Sequence, residues 1–195
     1  MSHHIYHTEA FVLGSANTGE ANKYIFLFTR ELGVVAGAAQ SVRSIASKLR
    51  FSLQDFSYTR VDLVKGKQIW RITNAERKDE FANLFADKEK KKVYVKILGL
   101  IRRLCSDEEP NEVLFDVLVD SFTFFEKESF TPETLEGFEL VVLVHILKNL
   151  GYLRDFAGME EILNMKLSHE LFVIAQEKRK LLIAEINHAL QESQL

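Results

Sequence analysis

The chain has 195 residues, a mass of 22.4 kDa and a formal net charge of −3, which leaves room for one large domain or two small ones at roughly 100–200 residues each. With 47% hydrophobic and 27% charged residues, two prolines and nine glycines, it falls outside the disordered, collagen-like and proline-rich classes. A single cysteine, Cys105, excludes an internal disulfide and any zinc site that needs two cysteines from this chain, and it fits a reducing compartment.

The start, Met-Ser-His-His-Ile-Tyr-His, lacks the basic-then-apolar pattern of a signal peptide. No apolar run reaches the ~18–20 residues that cross a bilayer; the densest, Leu140 to Leu147, is broken by His145. A soluble, cytoplasmic protein is expected, and fifteen phenylalanines can supply its core.

Strand signals fill the first 75 or so residues. Tyr6–Leu13 is rich in β-branched and aromatic residues, Tyr24–Thr29 is a short apolar run, and Val34–Ala39 is small and apolar. Phe56 to Val64 alternates, with Phe56, Tyr58, Arg60 and Asp62 on one side and Ser57, Thr59, Val61 and Leu63 on the other. Lys65-Gly66-Lys67 reads as a hairpin turn, and Ile69–Ala75 as the returning strand. Five short strands predict a small antiparallel barrel.

After Asn74 the period becomes helical. Val93, Ile97, Leu100, Ile101 and Leu104 recur at spacings of three and four, behind a charged start at Lys88–Lys92. Asn111 is placed to cap a helix through Leu114, Leu118, Phe122 and Phe125. Thr131-Pro132 opens another helix, apolar on nearly all sides from Leu140 to Leu147 and therefore central, and Asn149-Leu150-Gly151 closes it. A last helix is predicted from His169 to Ser193, with Glu177 to Lys180 on its outer face; Ser106–Pro110 and Glu126–Phe130 read as loops. No internal repeat is present. The expected domains are a barrel over residues 1–78 and an all-α domain over 79–195.

Charge follows this division. Residues 1–78 hold 11 Lys/Arg against 6 Asp/Glu, a net of +5, and the remainder holds 14 against 22, a net of −8. A basic domain joined to an acidic one points to a polyanion partner for the basic part.

Catalytic patterns are missing. The one Gly-Lys pair, Gly66-Lys67, has Val61 where a phosphate-binding loop needs its first glycine and Gln68 where it needs a hydroxyl. There is no Gly-x-Ser-x-Gly elbow and no His-Glu-x-x-His. His3, His4 and His7 are read as part of a frayed terminus, His145 as a hydrogen-bonded core or interface histidine, and Cys105 as a buried structural thiol. The chain is read as a non-enzyme.

Excess positive charge and aromatics on a small barrel suit single-stranded nucleic acid, since cations track phosphates and aromatic faces stack on bases. The first candidates are Arg43, Lys48 and Arg50, because the polar stretch Ser41–Ser52 has no core role. Lys23, Arg30, Arg60, Lys67 and Arg71 extend the set. Tyr58 and Trp70 are candidate stackers, although core packing is the commoner role of such residues in small barrels, and Phe26, Phe28 and Phe56 are read as interior.

These residues resemble a known family. Glu9-Ala10-Phe11-Val12-Leu13, Gly19-Glu20-Ala21-Asn22-Lys23 and Leu27-Phe28-Thr29-Arg30-Glu31-Leu32-Gly33 are similar to the N-terminal barrel of the RecO family of bacterial DNA repair proteins. Val42-Arg43, Ser47-Lys48-Leu49-Arg50 and Leu53-Gln54-Asp55-Phe56-Ser57 continue the likeness in order, and Phe138-Glu139-Leu140 and Leu150-Gly151-Tyr152 carry it into the helical part. The resemblance implies an α+β protein, an oligonucleotide/oligosaccharide-binding (OB) fold followed by helices. It also implies a recombination mediator of the RecF pathway that binds single- and double-stranded DNA and anneals complementary strands. Its implied partners are the acidic C-terminal tail of single-strand-binding protein, RecR and, indirectly, the RecA recombinase. These roles need no cofactor, no turnover and no membrane, and they place the protein in the cytoplasm at the nucleoid. Arg102, Arg103, Lys178 and Arg179 are candidate cations for the acidic tail. Many members follow Leu-Gly-Tyr with a four-cysteine zinc module; here Leu153-Arg154-Asp155-Phe156 follows without cysteine, so no zinc function is carried over. The alternatives are an adaptor whose barrel no longer binds DNA and, behind it, a nuclease with dispersed acids.

Overall fold

A computed structural model describes residues 4–67, 69–105, 108–156 and 158–192. Five strands, β1 (Ile5–Thr18), β2 (Asn22–Thr29), β3 (Gly33–Ala39), β4 (Tyr58–Lys65) and β5 (Trp70–Arg77), precede the main helices. They close into a barrel in the order β1-β2-β3-β5-β4. The neighbours are antiparallel except β3 and β5, which run parallel through Gly37–Trp70 and Ala38–Arg71. This is the OB-type barrel expected, with that one parallel pairing added.

β1 is longer than its apolar core because it serves two neighbours, β4 through Ile5–Phe11 and β2 through Ala10–Thr18. The register shifts between Val12 and Gly14. Gly14 stands there at φ +141°, where side chains are disfavoured, and the bulge turns the strand around the barrel. Alternation sends Ala10, Val12, Ile25, Leu27, Val35, Val61, Leu63, Trp70 and Ile72 inward. Phe11, Phe28 and Tyr58 lie on the outer wall instead, where Phe81 and Phe115 cover them. Phe28 is thus buried, as expected, but outside the barrel. Phe26 is half-buried, with the Arg102 guanidinium 4.3 Å above its ring.

The polar Ser41–Ser52 stretch, expected to have no core role, contains one helical turn, α1 (Leu49–Ser52), and its Val42 is buried in the barrel core. The longer helices are α2 (Lys88–Leu104), α3 (Glu112–Lys127), α4 (Pro132–Asn149), α6 (His169–Glu177) and α7 (Arg179–Glu192), with a short α5 (Met159–Asn164) that the sequence pattern does not announce. Asn111 caps α3 by accepting from the Leu114 N–H at 2.9 Å. Thr131 caps α4 with Pro132 in its first turn. The single final helix is corrected to two. Between Ala175 and Leu182 no side chain is buried, so nothing holds a straight rod in place; the chain bends at Lys178, and α6 and α7 each pack on α4. Ser193, the expected end, lies outside the described residues, as do His3, Gln68, Ser106 and Asp107.

Two compact units result. The first takes the chain to Asn83 together with Leu98–Phe115; the second takes Leu84–Ile97 and the chain from Asp116 onward. In the second, α4 is buried nearly all round, and Phe125, Phe130, Phe138 and Phe172 form an aromatic cluster, Phe125 and Phe138 stacking at 4.2 Å. Among the described residues no helix is long and apolar enough to cross a membrane.

Candidate nucleic-acid interface

The structure sorts the sequence-selected cations into three groups. Lys23, Arg43 and Arg50 come together. They line one open cleft of about 440 Å³ with Val42, Leu53, Gln54 and Asp55. The connection after β3 folds back on the β1–β2 turn to make it. The Arg43 backbone N–H donates to the Ala21 carbonyl at 3.0 Å, and its Nη1 donates to the Gly19 carbonyl at 3.2 Å. Lys23 Nζ donates to Ser15 Oγ at 3.2 Å, and Ser15 donates onward to Asp55 at 2.8 Å. Three cations and one carboxylate therefore border the cleft, and Ser15 donates to that carboxylate. The β1–β2 turn is one of the loops that OB barrels use on oligonucleotides and oligosaccharides.

α1 lies beside this cleft. Leu49 packs against the barrel core, while Ser52 and Leu53 are buried. Lys48 and Arg50 are exposed, and so is Phe51, at 64%. Ile45, at the tip of the Ser44–Ser47 turn, is 88% exposed. No local sequence signal marks either residue. Leu49, Phe51 and Leu53 are spaced by two, which a strand would bury together; only the helical turn separates Phe51 from the other two.

A second group stands apart on the barrel wall. Arg60 and Arg71 are exposed on β4 and β5, and Lys67 is exposed in the turn between them. Arg60 sits in register with Glu9 on one side and Glu76 on the other, so acidic residues flank it in the sheet. Arg71 is in register with Val64 and Ala38 and has no acidic cross-strand partner.

The third group is spent on packing. Arg30 lies 3.8 Å from Glu9 Oε2 with its guanidinium 4.9 Å from the Phe115 centroid. Tyr58, 5% exposed, sits among Phe11, Phe81 and Phe115 and donates its hydroxyl to Glu9 at 2.8 Å. Burial, then Glu9, pushes its phenol far above the ordinary value. Trp70, 4% exposed, points into the barrel, and its indole N–H donates to Glu108 at 2.9 Å. Neither ring offers a face to a base in this arrangement.

Glu9 anchors that wall. Burial pushes its carboxyl up, but hydrogen bonds from Lys78 (2.5 Å) and Tyr58, with the Lys78 and Arg30 charges, outweigh burial and hold it below its ordinary 4.5. A depressed carboxyl stabilises the fold above its unfolded value and loses that effect as pH falls through the folded one. Replacing Glu9 by Gln is therefore expected to cost on the order of 1–2 kcal/mol at pH 7, with the deficit shrinking below about pH 4. Urea titrations at pH 7 and pH 3 check this; an equal deficit at both would show that the charge of Glu9 does not contribute.

Of the cations assigned to an acidic partner, Arg102 and Arg103 are exposed in the first unit. In the second, Lys178 pairs with Glu161, and Arg179 Nε donates to Glu136 at 2.6 Å. Cys105, expected to be buried, is half-buried, and that burial pushes its thiol up to about 11. His145 is pushed down by burial, against a hydrogen bond with the Ile162 backbone. His7 belongs to β1, with Nδ1 2.6 Å from Asp62. Among the described residues no group of three or more His, Cys, Asp or Glu is placed to hold a metal ion.

A closed five-stranded barrel of this order, with a cationic cleft on its first turn and helices after it, defines a protein built on an OB-type barrel. Residues 1–81 match the family model "Recombination protein O N terminal". Over 137 residues the chain is 30% identical to the DNA repair protein RecO of Alkaliphilus metalliredigens, covering 70% of this chain and 56% of that protein. It is 27% identical over 161 residues to the DNA repair protein RecO of Dehalococcoides mccartyi, with coverages of 81% and 62%. It is 29% identical over 153 residues to that of Clostridium novyi, with coverages of 78% and 58%. The likeness to that family thus covers residues 1–81, and the chain is similar to DNA repair proteins RecO over most of its own length while spanning a little over half the length of those it matches.

Proposed function

We propose that this chain works in DNA repair as a non-catalytic recombination mediator. The barrel part, residues 1–78, binds DNA through Lys23, Arg43, Lys48 and Arg50, with Arg71 and Lys67 as outlying contacts; residues 79–195 carry partner contacts. The observation that carries the reading is the gathering of Lys23, Arg43 and Arg50 in one cleft on the β1–β2 turn of an OB-type barrel. Names of relatives over the same residues support it.

Annealing follows from the same surface. Two phosphate backbones brought side by side repel, and cations between them lower that cost. The protein accordingly holds single- and double-stranded DNA and anneals complementary strands. It then helps load a RecA-type recombinase, together with RecR, onto DNA coated by single-strand-binding protein, whose acidic tail it contacts. The exposed Arg102 and Arg103 are the freer candidates for that tail, because Lys178 and Arg179 already hold Glu161 and Glu136. This work belongs in the cytoplasm, at the nucleoid.

The test is fluorescence titration of the whole chain with labelled oligothymidylate at salt concentrations from roughly 50 to 200 mM. Three or four phosphate contacts predict a log–log slope of about −2 to −3. Affinity that is absent, or indifferent to salt, overturns the reading in favour of an adaptor whose barrel has lost DNA binding. Hydrolysis of the oligonucleotide with magnesium, abolished by chelation, would overturn the non-catalytic assignment.

A further inference from the structure

Phe51 is out of place for a structural residue. A large aromatic left 64% exposed on a one-turn helix contributes little to the core, and Ile45 nearby is barer still. Isolated exposed apolar residues are ordinary on protein surfaces. Here, however, two of the three most exposed large apolar side chains among the described residues fall within seven positions of each other, inside a segment otherwise made mostly of Ser, Ala, Arg and Lys.

The helical turn explains the presentation. At about 100° per residue, Ser52, Leu49 and Leu53 fall within roughly one third of the circumference, and they are the residues that face the barrel core. Phe51 then falls on the side away from the core, with Lys48 and Arg50 to either side of it, both exposed. Arg50 also lines the cleft with Lys23 and Arg43. An aromatic face flanked by cations suits a ligand that alternates anionic groups with flat unsaturated rings, which describes a nucleic-acid strand with unstacked bases. A lipid surface would reward the apolar side chains as well, but it has no use for a concave cleft lined by Lys23, Arg43 and Arg50. A duplex keeps its bases stacked on one another and offers Phe51 no face.

We infer that Phe51 is a base-stacking residue, with Ile45 as an apolar flank, and that this pair makes the surface prefer single strands to duplex. The inference rests on the reading of the Lys23–Arg43–Arg50 cleft as a phosphate-binding surface. The cations supply affinity for any phosphate backbone, and the ring supplies the discrimination.

The experiment uses the full chain carrying Phe51→Trp. The protein has one other tryptophan, Trp70, which is buried, so the unsubstituted protein supplies the blank. Oligothymidylate is expected to quench the introduced indole on binding, and an abasic deoxyribose-phosphate oligomer of equal length is expected to bind without quenching. Phe51→Ala is expected to weaken oligothymidylate binding by roughly 5- to 100-fold, with the salt slope unchanged and duplex affinity nearly so. If oligothymidylate binds with the expected salt slope while the fluorescence of the Phe51→Trp protein and the affinity of the Phe51→Ala protein stay unmoved, stacking is refuted and the phosphate cleft stands. If Arg43→Glu, Lys48→Glu and Arg50→Glu together leave binding intact, the cleft reading fails and this inference with it. Quenching or blue shift by anionic phosphatidylglycerol vesicles, with none by oligothymidylate, would refute it in favour of a membrane surface.

Discussion

Reversing Arg43, Lys48 and Arg50 to Glu together lowers affinity for single-stranded DNA by about two powers of ten at roughly 0.1 M salt, and flattens the salt slope by about 2. The magnitude follows from counterion release. Each phosphate neutralised on a single strand contributes about 0.7 to the log–log slope, so three lost contacts remove about two decades between roughly 1 M and 0.1 M salt. Reversal adds repulsion to that loss, whereas replacement by Gln removes attraction alone and should give the smaller change. The three side chains are exposed on the surface around the cleft and carry no part of the core, so the fold should survive. Circular dichroism and urea midpoints close to those of the unsubstituted protein check that point. The matching control is Arg60→Glu. Arg60 already lies between Glu9 and Glu76 in the sheet register, and its reversal is expected to matter less. Equal losses from Arg60→Glu and from Arg43→Glu alone, single reversals of the same charge change, would mean that binding responds to net charge and not to this cleft.

Gly137→Ala is expected to destabilise the helical unit by about 2–3 kcal/mol, although helix propensity alone favours Ala over Gly by about 1 kcal/mol. Packing decides the sign. α4 and α6 approach so closely at Gly137 that an added Cβ would overlap the Phe172 carbonyl oxygen and stand 2.8 Å from its carbon. Backbone cannot swing aside as a side-chain tip can, so α6 must shift. Phe172 then loosens from Phe124, Phe130 and Phe138, ring contacts of 5.5–5.8 Å in the structure. Gly99, on α2, has nothing within 4 Å of a built Cβ. Gly99→Ala should therefore follow propensity and stabilise by about 0.5–1 kcal/mol. Urea unfolding of both variants separates the cases; stabilisation by both would remove the close α4–α6 approach from the account.

Much of the barrel was legible because its signals are local. Phe56 to Val64 alternates with a period of two, and the structure puts Val61 and Leu63 inside and Arg60 outside. The caps at Asn111 and Thr131 were equally plain, since a cap and the N–H it accepts from lie within three residues. The candidate site was legible only in part. Arg43 and Arg50 announce themselves as charges in a segment without apolar periodicity, but Lys23 joins them only because the segment after β3 folds back on the β1–β2 turn. Tyr58 looks available to a base because its outward direction along β4 is readable, whereas the cover supplied by Phe81 and Phe115 is not. Phe51 carries no distinguishing signal, because its spacing from Leu49 and Leu53 fits a strand as well as a helical turn.

The amino-acid order by itself determined the element types, most of their limits, the capping groups and a basic leading part followed by an acidic remainder. Each depends on residues a few positions apart, whose preferences act before any distant contact forms. Tertiary structure alone decided the parallel closure of β3 on β5, the burial of Trp70 against Glu108, 38 residues away, and of Tyr58 against Glu9, 49 residues away. It also decided which cations share a cleft and which are tied to carboxylates. Those outcomes depend on which surfaces meet once the chain has closed, and no local period carries that information.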